Sequence, residues 1–377
     1  MRPEERLDTA IGIAEIRDIA AGAAILGCGG GGDPEIGRLL AEEAITAHGP
    51  VTLLDPDDIA PDAFVLASAM MGAPTVVIEK VPRGDEPLRA FRKVEAFLDR
   101  KADAVCSMEC GGLNSTIPIL VAAQARLPLL DGDGMGRAFP ELQMETFSVY
   151  GVRGSPACVA DEDGNTVLCE TGTDLDMEWL LRGVTIRMGG AAYLAHYPMS
   201  GADFRRTAVP RTLSLALSLG RAVEAARRAQ RDPVAAVAAS FRGTAYGSVR
   251  ELFRGKVVDV ERETRRGFAL GRVEIARLGR EGEGGRLRIS FQNENLVAWE
   301  GEAVVATVPD LILVLDPETG RAITTERLHY GQRVVVLAVG APEIMRTAEA
   351  LRVWGPEAFG YRGMPYRPWD DDLRTGG

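Results

Sequence analysis

An α/β N-terminal domain with a largely parallel sheet, followed by a β-rich α+β C-terminal domain, is the fold class this sequence predicts. Three observations predict it. From residue 12 to about 150, helical and strand-like segments alternate, the signature of helices laid on a parallel sheet. From Gly255 onward strand-like runs dominate. The chain has 377 residues, 46% hydrophobic and 26% charged, a folded composition with room for two domains of ordinary size. The boundary is placed near 160–170, giving 1–165 and 166–370.

Taken in order, IAEIRDIAAGAAIL repeats its apolar residues at helical spacing, and PEIGRLLAEEAITAHG follows with Asp33 as N-cap and Pro34 at the first helical position. VTLLD and AFVLASAM read as strands, EPLRAFRKVEAFLDRK as an amphipathic helix, ADAVCSME as a strand, STIPILVAAQAR as a helix and LPLLD as a strand. SPACVAD, TVLCET and GVTIRMGG are short strand-like pieces. The stretch TLSLALSLGRAVEAARRAQRDPVAAVAASF is one long helix or two shorter ones. KVVDVERET, FALGRVEIARL, RLRISFQNENLVAWE, EAVVATVPDLILVLD and QRVVVLAVG are strand runs, and YRGMPYRPWDDDLRTGG is a tail that frays or lies along the surface.

Charge and composition exclude several functions. With 54 acids against 43 bases, a net charge of -11, no cation cluster exists for a nucleic-acid backbone. The N-terminus mixes charges among its apolar residues, unlike a secretion signal, and no window is apolar for about 18 residues, so a cytoplasmic protein with no membrane span is expected. Five cysteines, Cys28, Cys106, Cys110, Cys158 and Cys169, are an odd number, which points to reduced thiols. The 43 glycines, about 11% against a usual roughly 7%, imply tight turns or close approaches.

Three segments can carry chemistry. Gly27-Cys28-Gly29-Gly30-Gly31-Gly32 holds five glycines in six positions. It satisfies GxGxxG with Asp55 downstream, but a helix precedes it where a dinucleotide fingerprint needs a strand. A glycine loop before a helix also presents N–H groups to an anionic or carbonyl ligand, and tight helix packing is the bland alternative. Asp131-Gly132-Asp133-Gly134-Met135-Gly136-Arg137, with Glu141 one helical turn beyond Arg137, falls at the carboxyl end of a strand and can aim oxygens at a metal or polar substrate. A solvated acidic turn is the alternative. In Cys106-Ser107-Met108-Glu109-Cys110-Gly111-Gly112-Leu113-Asn114, Glu109 is a candidate general base or ligand and Asn114 an orienting side chain or cap. Cys110 is the more reactive thiol candidate there, and Cys106 reads as buried in a strand. Of three histidines, His48 ends a helix, His329 reads as structural, and His196 is the site candidate.

GCGGGGDP, ECGGLNS, LPLLDGDGMGRAFPELQMETF, FQNENLVA and LDPETGRAITTERLHYGQRVVVLAVGAP occur in order across nearly the whole chain. In these segments the chain resembles the DUF917 proteins, a family linked to hydantoinase-type enzymes that includes the S-methyl thiohydantoin desulfurases. A cysteine at 110 departs from the aliphatic residue expected beside Glu109.

The resemblance implies an N-terminal α/β domain with a metal-dependent site, a β-rich C-terminal domain, and hydrolysis at a C–S carbon of a five-membered thiohydantoin or related cyclic ureide. On that basis the expected assignment is zinc held by Asp133, His196 and Cys28 or Asp131. Glu109 is then the general base, Arg137 holds a substrate carboxylate, Cys110 is a further catalytic candidate, and Gly29, Gly30, Gly31, Asn114 and Glu141 bind substrate. A homo-oligomer is expected. The other readings are a non-catalytic partner of a hydantoinase or oxoprolinase complex, and a nucleotide-binding regulator that takes NAD or ATP.

Overall fold

The computed structural model describes residues 9–369 except 33, 74, 75, 77–79, 81, 266, 267 and 279–284. The helices are α1 (Ile13–Leu26), α2 (Glu35–His48), α3 (Glu86–Phe97), α4 (Ile117–Ala125), α5 (Thr146–Val149), α6 (Asp174–Arg187), α7 (Gly201–Thr207), α8 (Thr212–Arg228), α9 (Pro233–Ser240) and α10 (Ala348–Trp354). Strands of the first half are β1 (Thr9–Ile11), β2 (Val51–Leu54), β3 (Phe64–Gly72), β4 (Ala104–Ser107), β5 (Leu129–Asp133), β6 (Ala157–Ala160), β7 (Thr166–Cys169), β8 (Ala191–Ser200) and β9 (Val209–Pro210). They form one mixed sheet in the order β1-β2-β5-β4-β3-β8-β6-β7, with β9 added to β5. The α/β class holds, and the parallel part is confined to β2, β5, β4 and β3.

The second half contributes β10 (Val249–Arg265), β11 (Phe268–Arg277), β12 (Arg286–Gln292), β13 (Glu294–Glu300), β14 (Ala303–Thr307), β15 (Leu311–Leu315) and β16 (Arg333–Val339). These make a wholly antiparallel half-barrel in the order β14-β13-β12-β11-β10-β16-β15. The first of them begins at Val249, ahead of the Gly255 expected from sequence. Leu311, Leu313, Leu315, Val335 and Leu337 turn one face of this sheet onto α1, α8 and α9, so a single apolar core joins the two halves.

Helix α1 forms because Ile16, Ile19, Ala20, Ala23 and Leu26 recur on one buried face. It crosses α8 at close range. A Cβ on Gly22 would meet the Ala216 carbonyl oxygen at 1.8 Å, and one on Gly220 the Asp18 carbonyl oxygen at 2.0 Å. Glycine at both places is what lets the two backbones touch.

Two local expectations, on GVTIRMGG and on Pro34, need correction. GVTIRMGG is not a strand; Gly183–Arg187 complete α6, because Thr173 caps that helix by accepting from the Asp176 N–H (3.1 Å) and Asp174 and Asp176 favour its N-terminus. AAYLAHYPMS, to which the sequence assigns no element, is the ten-residue strand β8 between β3 and β6, buried along most of its length. Burial on both faces removed the alternation that marks a strand. Pro34 is the N-cap of α2 and not its first residue; the Asp33 cap lies outside the described residues. Of the two readings of the stretch after Pro210, the two shorter helices hold, since Asp232 caps α9 through the Val234 and Ala235 N–H groups. The tail is held as far as Trp369, with Tyr361 and Met364 against the core and the Tyr366 hydroxyl donating to Asp310 Oδ1 at 2.8 Å; residues 370–377 lie outside the described residues.

Candidate functional site

A cleft opens beyond the carboxyl ends of β3 and β4, where a ligand is expected in an open α/β sheet. Its floor and walls come from Gly29–Gly32, Met70–Gly72, Glu109, Asn114 and Phe139–Leu142 of the first half. Opposite stand Asn293, Glu294 and Thr324–Glu326 of the second, with Arg182 of α6 at the side. Six of the residues singled out from sequence meet here: Gly29, Gly30, Gly31, Glu109, Asn114 and Glu141.

The glycine run is a seam between the halves. On one side the Leu113 N–H donates to the Gly31 carbonyl at 2.9 Å, and a Cβ on Gly112 would lie 2.1 Å from that same oxygen. On the other, the Thr325 N–H donates to the Gly29 carbonyl (2.9 Å) and the Asn295 N–H to the Cys28 carbonyl (2.8 Å). A Cβ on Gly30 would lie 2.0 Å from Glu294 Oε1. Backbone must therefore pass within van der Waals reach of backbone and carboxyl alike, which only glycine permits. The loop follows helix α1, not a strand, so its GxGxxG spacing lacks the context of a dinucleotide fingerprint.

Two buried carboxyl groups face this seam. Glu109 accepts from Asn114 Nδ2 at 2.8 Å through Oε1, and its Oε2 has no hydrogen-bond partner. Asn114 is itself clamped to β3, its Oδ1 accepting from the Met70 N–H (2.7 Å) and its Nδ2 donating to the Met70 carbonyl (3.1 Å). Burial pushes the Glu109 carboxyl well above its usual range; Asn114 opposes this, and the charges of Glu294 and Asp133 add to it. Glu294, at the start of β13, is pushed up to about 8, mainly by burial, with the nearby Arg137 charge pulling the other way. Its Oε2 likewise lacks a partner. Like charges held together in a dry site cannot both ionise cheaply, so the pair carries little negative charge near neutral pH.

The other sequence-selected side chains point elsewhere. Asp131 accepts from the Ser214 N–H (3.0 Å) and the Ser214 hydroxyl at the start of α8. Asp133 accepts from the Cys110 N–H (2.9 Å), the Met135 N–H (2.6 Å) and the Gly136 N–H. Burial raises both to about 6. Arg137 is fully buried and ties the halves together, donating to the Asp310 and Asn295 carbonyls, each at 2.9 Å. The Cys110 thiol donates to the Thr212 carbonyl (3.4 Å), and burial foremost holds it well above its usual value. Burial also lifts the Cys28 thiol to about 11. His196 lies on β8 with Nδ1 3.6 Å from Glu145 Oε1; burial lowers the imidazole to about 3 and raises the carboxyl, so both are neutral. Among the described residues no three His, Cys, Asp or Glu side chains converge to hold a metal ion. The set Asp131, Asp133, His196 and Cys28 does not fit the tetrahedral shell of a zinc ion.

Residues 14–171 match the S-Me-THD-like N-terminal domain and residues 172–369 the S-Me-THD-like C-terminal domain. The chain belongs to the S-Me-THD-like family. The family is named after an S-methyl thiohydantoin desulfurase. A crystal structure of a protein from Chromobacterium violaceum is similar to the chain, with 26% identity, a TM-score of 0.79, and coverage of 96% of this chain and 100% of that one. No curated protein matches the chain. The two S-Me-THD-like matches meet at 171/172, while the first sheet runs on through β8 and β9.

Within this S-Me-THD-like fold, sequence reasoning passed over Glu294 and Arg182. Glu294 stands in FQNENLVA, where an acid and three amides interrupt a strand run that otherwise reads as core. That interruption was the available signal, since polar groups enter a strand core at a cost that needs a reason. Arg182 gave none: on α6 it pairs with Glu178, donates to the Pro140 carbonyl at 3.0 Å and lies 5.3 Å from the Phe268 ring centre.

Proposed function

We propose that this chain is a hydrolase of the S-methyl thiohydantoin desulfurase type, working in the cleft between the two halves with Glu109 and Glu294 as its proton-handling pair. The observation that carries the reading is that each of these buried carboxyl groups keeps one oxygen without a partner in the same cleft. Buried polar atoms are mostly satisfied, and of the buried side-chain atoms that lack a partner among the described residues, those of Glu109 and Glu294 are the ones on residues that line this cleft, which supports a ligand there.

Water adds through its oxygen to the ring carbon bearing the S-methyl group, the C–S bond breaks, and the ring keeps a carbonyl while methanethiol leaves. Substrate plus water balances product plus thiol, with no oxidant or reductant. Glu294, raised to about 8, acts through its minor ionised form, which the nearby Arg137 charge supports, and takes the water proton. Glu109, on which the acting charges are carboxylates, stays protonated and donates to the leaving sulfur or a ring nitrogen. Asn114 positions Glu109 and reads as its holder, not as a reacting group.

The test is release of methanethiol from an S-methyl thiohydantoin, followed with a thiol-reactive dye. Glu109→Gln and Glu294→Gln should each lower kcat by at least roughly 100-fold with the fold intact. Undiminished turnover in either variant removes that residue from the scheme. A wild-type chain that turns over no thiohydantoin yet co-purifies with a hydantoinase-type enzyme would put the partner-subunit reading in its place.

A further inference from the structure

The outer face of α6 is apolar where a surface helix should be polar. Leu175, Trp179 and Ile186 are 65%, 75% and 63% exposed, and at steps of four and seven residues they form one stripe along the helix. A tryptophan left three-quarters in water is unusual outside contact surfaces. Gly183 continues the stripe, and a Cβ placed there would meet nothing within 4 Å. The inner face is spent on the core through Met177, Leu181 and Thr185.

We infer that this face is a homodimer interface, two copies of α6 packing antiparallel about a two-fold axis between residues 180 and 181. The stripe is complementary to itself under that operation. At a rise of about 1.5 Å per residue, Leu175 of one copy comes level with Ile186 of the other. Trp179 comes within about one residue of Gly183, whose bare backbone leaves a slot for the indole. An isologous interface requires such reciprocal pairs.

Charge sets the direction. Asp176 is exposed in the first turn and Arg187 in the last, both on the same flank of the stripe. Arg187 has no ion-pair or hydrogen-bond partner among the described residues. A two-fold axis lying in the interface keeps that flank on the same side in both copies, so each Asp176 meets the other copy's Arg187. Parallel packing would instead set indole against indole and place Asp176 and Arg187 of one copy on the flank opposite those of the other, with no acid–base pair between them. Arg182 leaves the same helix toward the cleft, so the interface braces one cleft wall.

Sedimentation velocity of the full chain over a wide concentration range tests this. The wild type should dimerise, and Trp179→Glu, a change at an exposed position, should raise the dimer Kd by at least about 30-fold with an unchanged circular dichroism spectrum. Asp176→Arg and Arg187→Asp should each weaken the dimer, and the two together should restore it. Leu175→Cys with Ile186→Cys should cross-link two chains under mild oxidant. A monomer at all concentrations, a dimer indifferent to Trp179→Glu, or a double charge reversal no better than the singles would overturn the interface.

Discussion

Replacing Glu294 with glutamine turns its burial into a measurable stability difference. The carboxyl is raised from 4.5 to about 8 in the folded chain. Its stabilising share is therefore complete below pH 4.5, where folded and unfolded states are both protonated, and is lost as pH climbs toward 8, where the unfolded chain alone gains charge freely. Between pH 5 and pH 9 the wild type loses stability over about 3 pH units at about 1.4 kcal/mol each, close to 4 kcal/mol. An unfolding entropy of about 2.1 cal/mol/K per residue gives about 0.8 kcal/mol/K for 377 residues, so the loss amounts to about 5 °C in Tm. Glutamine imitates the protonated acid and cannot ionise. Calorimetry should find the variant and the wild type within about 1 °C at pH 5, and the variant about 5 °C more stable at pH 9. A Tm difference that is the same at both pH values would refute the claim that Glu294 is desolvated in the cleft.

Other consequences follow from the same geometry. Gly30→Ala would place a Cβ 2.0 Å from Glu294 Oε1; the displaced carboxyl should cost at least roughly 100-fold in methanethiol release, and unchanged turnover would show that the position of Glu294 does not matter. Arg137→Met removes the donor to the Asp310 and Asn295 carbonyls and should cost about 3 kcal/mol or more in urea unfolding; a loss under about 1 kcal/mol would deny it the role of a tie between halves. Asp131→Asn should cost about 1 kcal/mol as a weakened cap on α8 and leave turnover intact; a folded variant without turnover would bring Asp131 into the chemistry.

Much of the fold was legible because it is locally encoded. The stripes of α1 and α3, and the short strands ended by glycine, aspartate or serine, carry their own periodicity. What escaped was whatever tertiary context decides. β8 is buried on both sides and so shows no alternation, and GVTIR is β-branched yet lies in a helix capped ten residues upstream by Thr173. The site divided along the same line. Glu109, Asn114 and the glycine loop were visible because unusual residues crowd together in sequence. Asp131 and Asp133 drew attention for the same reason, although their oxygens serve the backbone N–H groups of neighbouring turns. Spacing cannot distinguish a carboxylate that organises a loop from one that faces a ligand. The count of its hydrogen bonds, together with its place in the cleft wall, can.

That count also explains why the cleft needs both halves. Glu109 is fixed by Asn114 and β3, wholly within the first half, and Glu294 opens β13 in the second. Neither half alone brings these two carboxyl groups together. Their meeting depends on the glycine seam, where Gly31 is hydrogen-bonded to Leu113 while Cys28 and Gly29 are bonded to Asn295 and Thr325, and on Arg137 crossing beneath to the Asn295 and Asp310 carbonyls. Asn295 is a partner to both and lies next to Glu294 in the chain. Any shift between the halves large enough to break the seam would therefore move Glu294 relative to Glu109. Opening the seam admits water to both carboxyl groups, lowers their pKa toward ordinary values and removes the proton that Glu109 is held there to give.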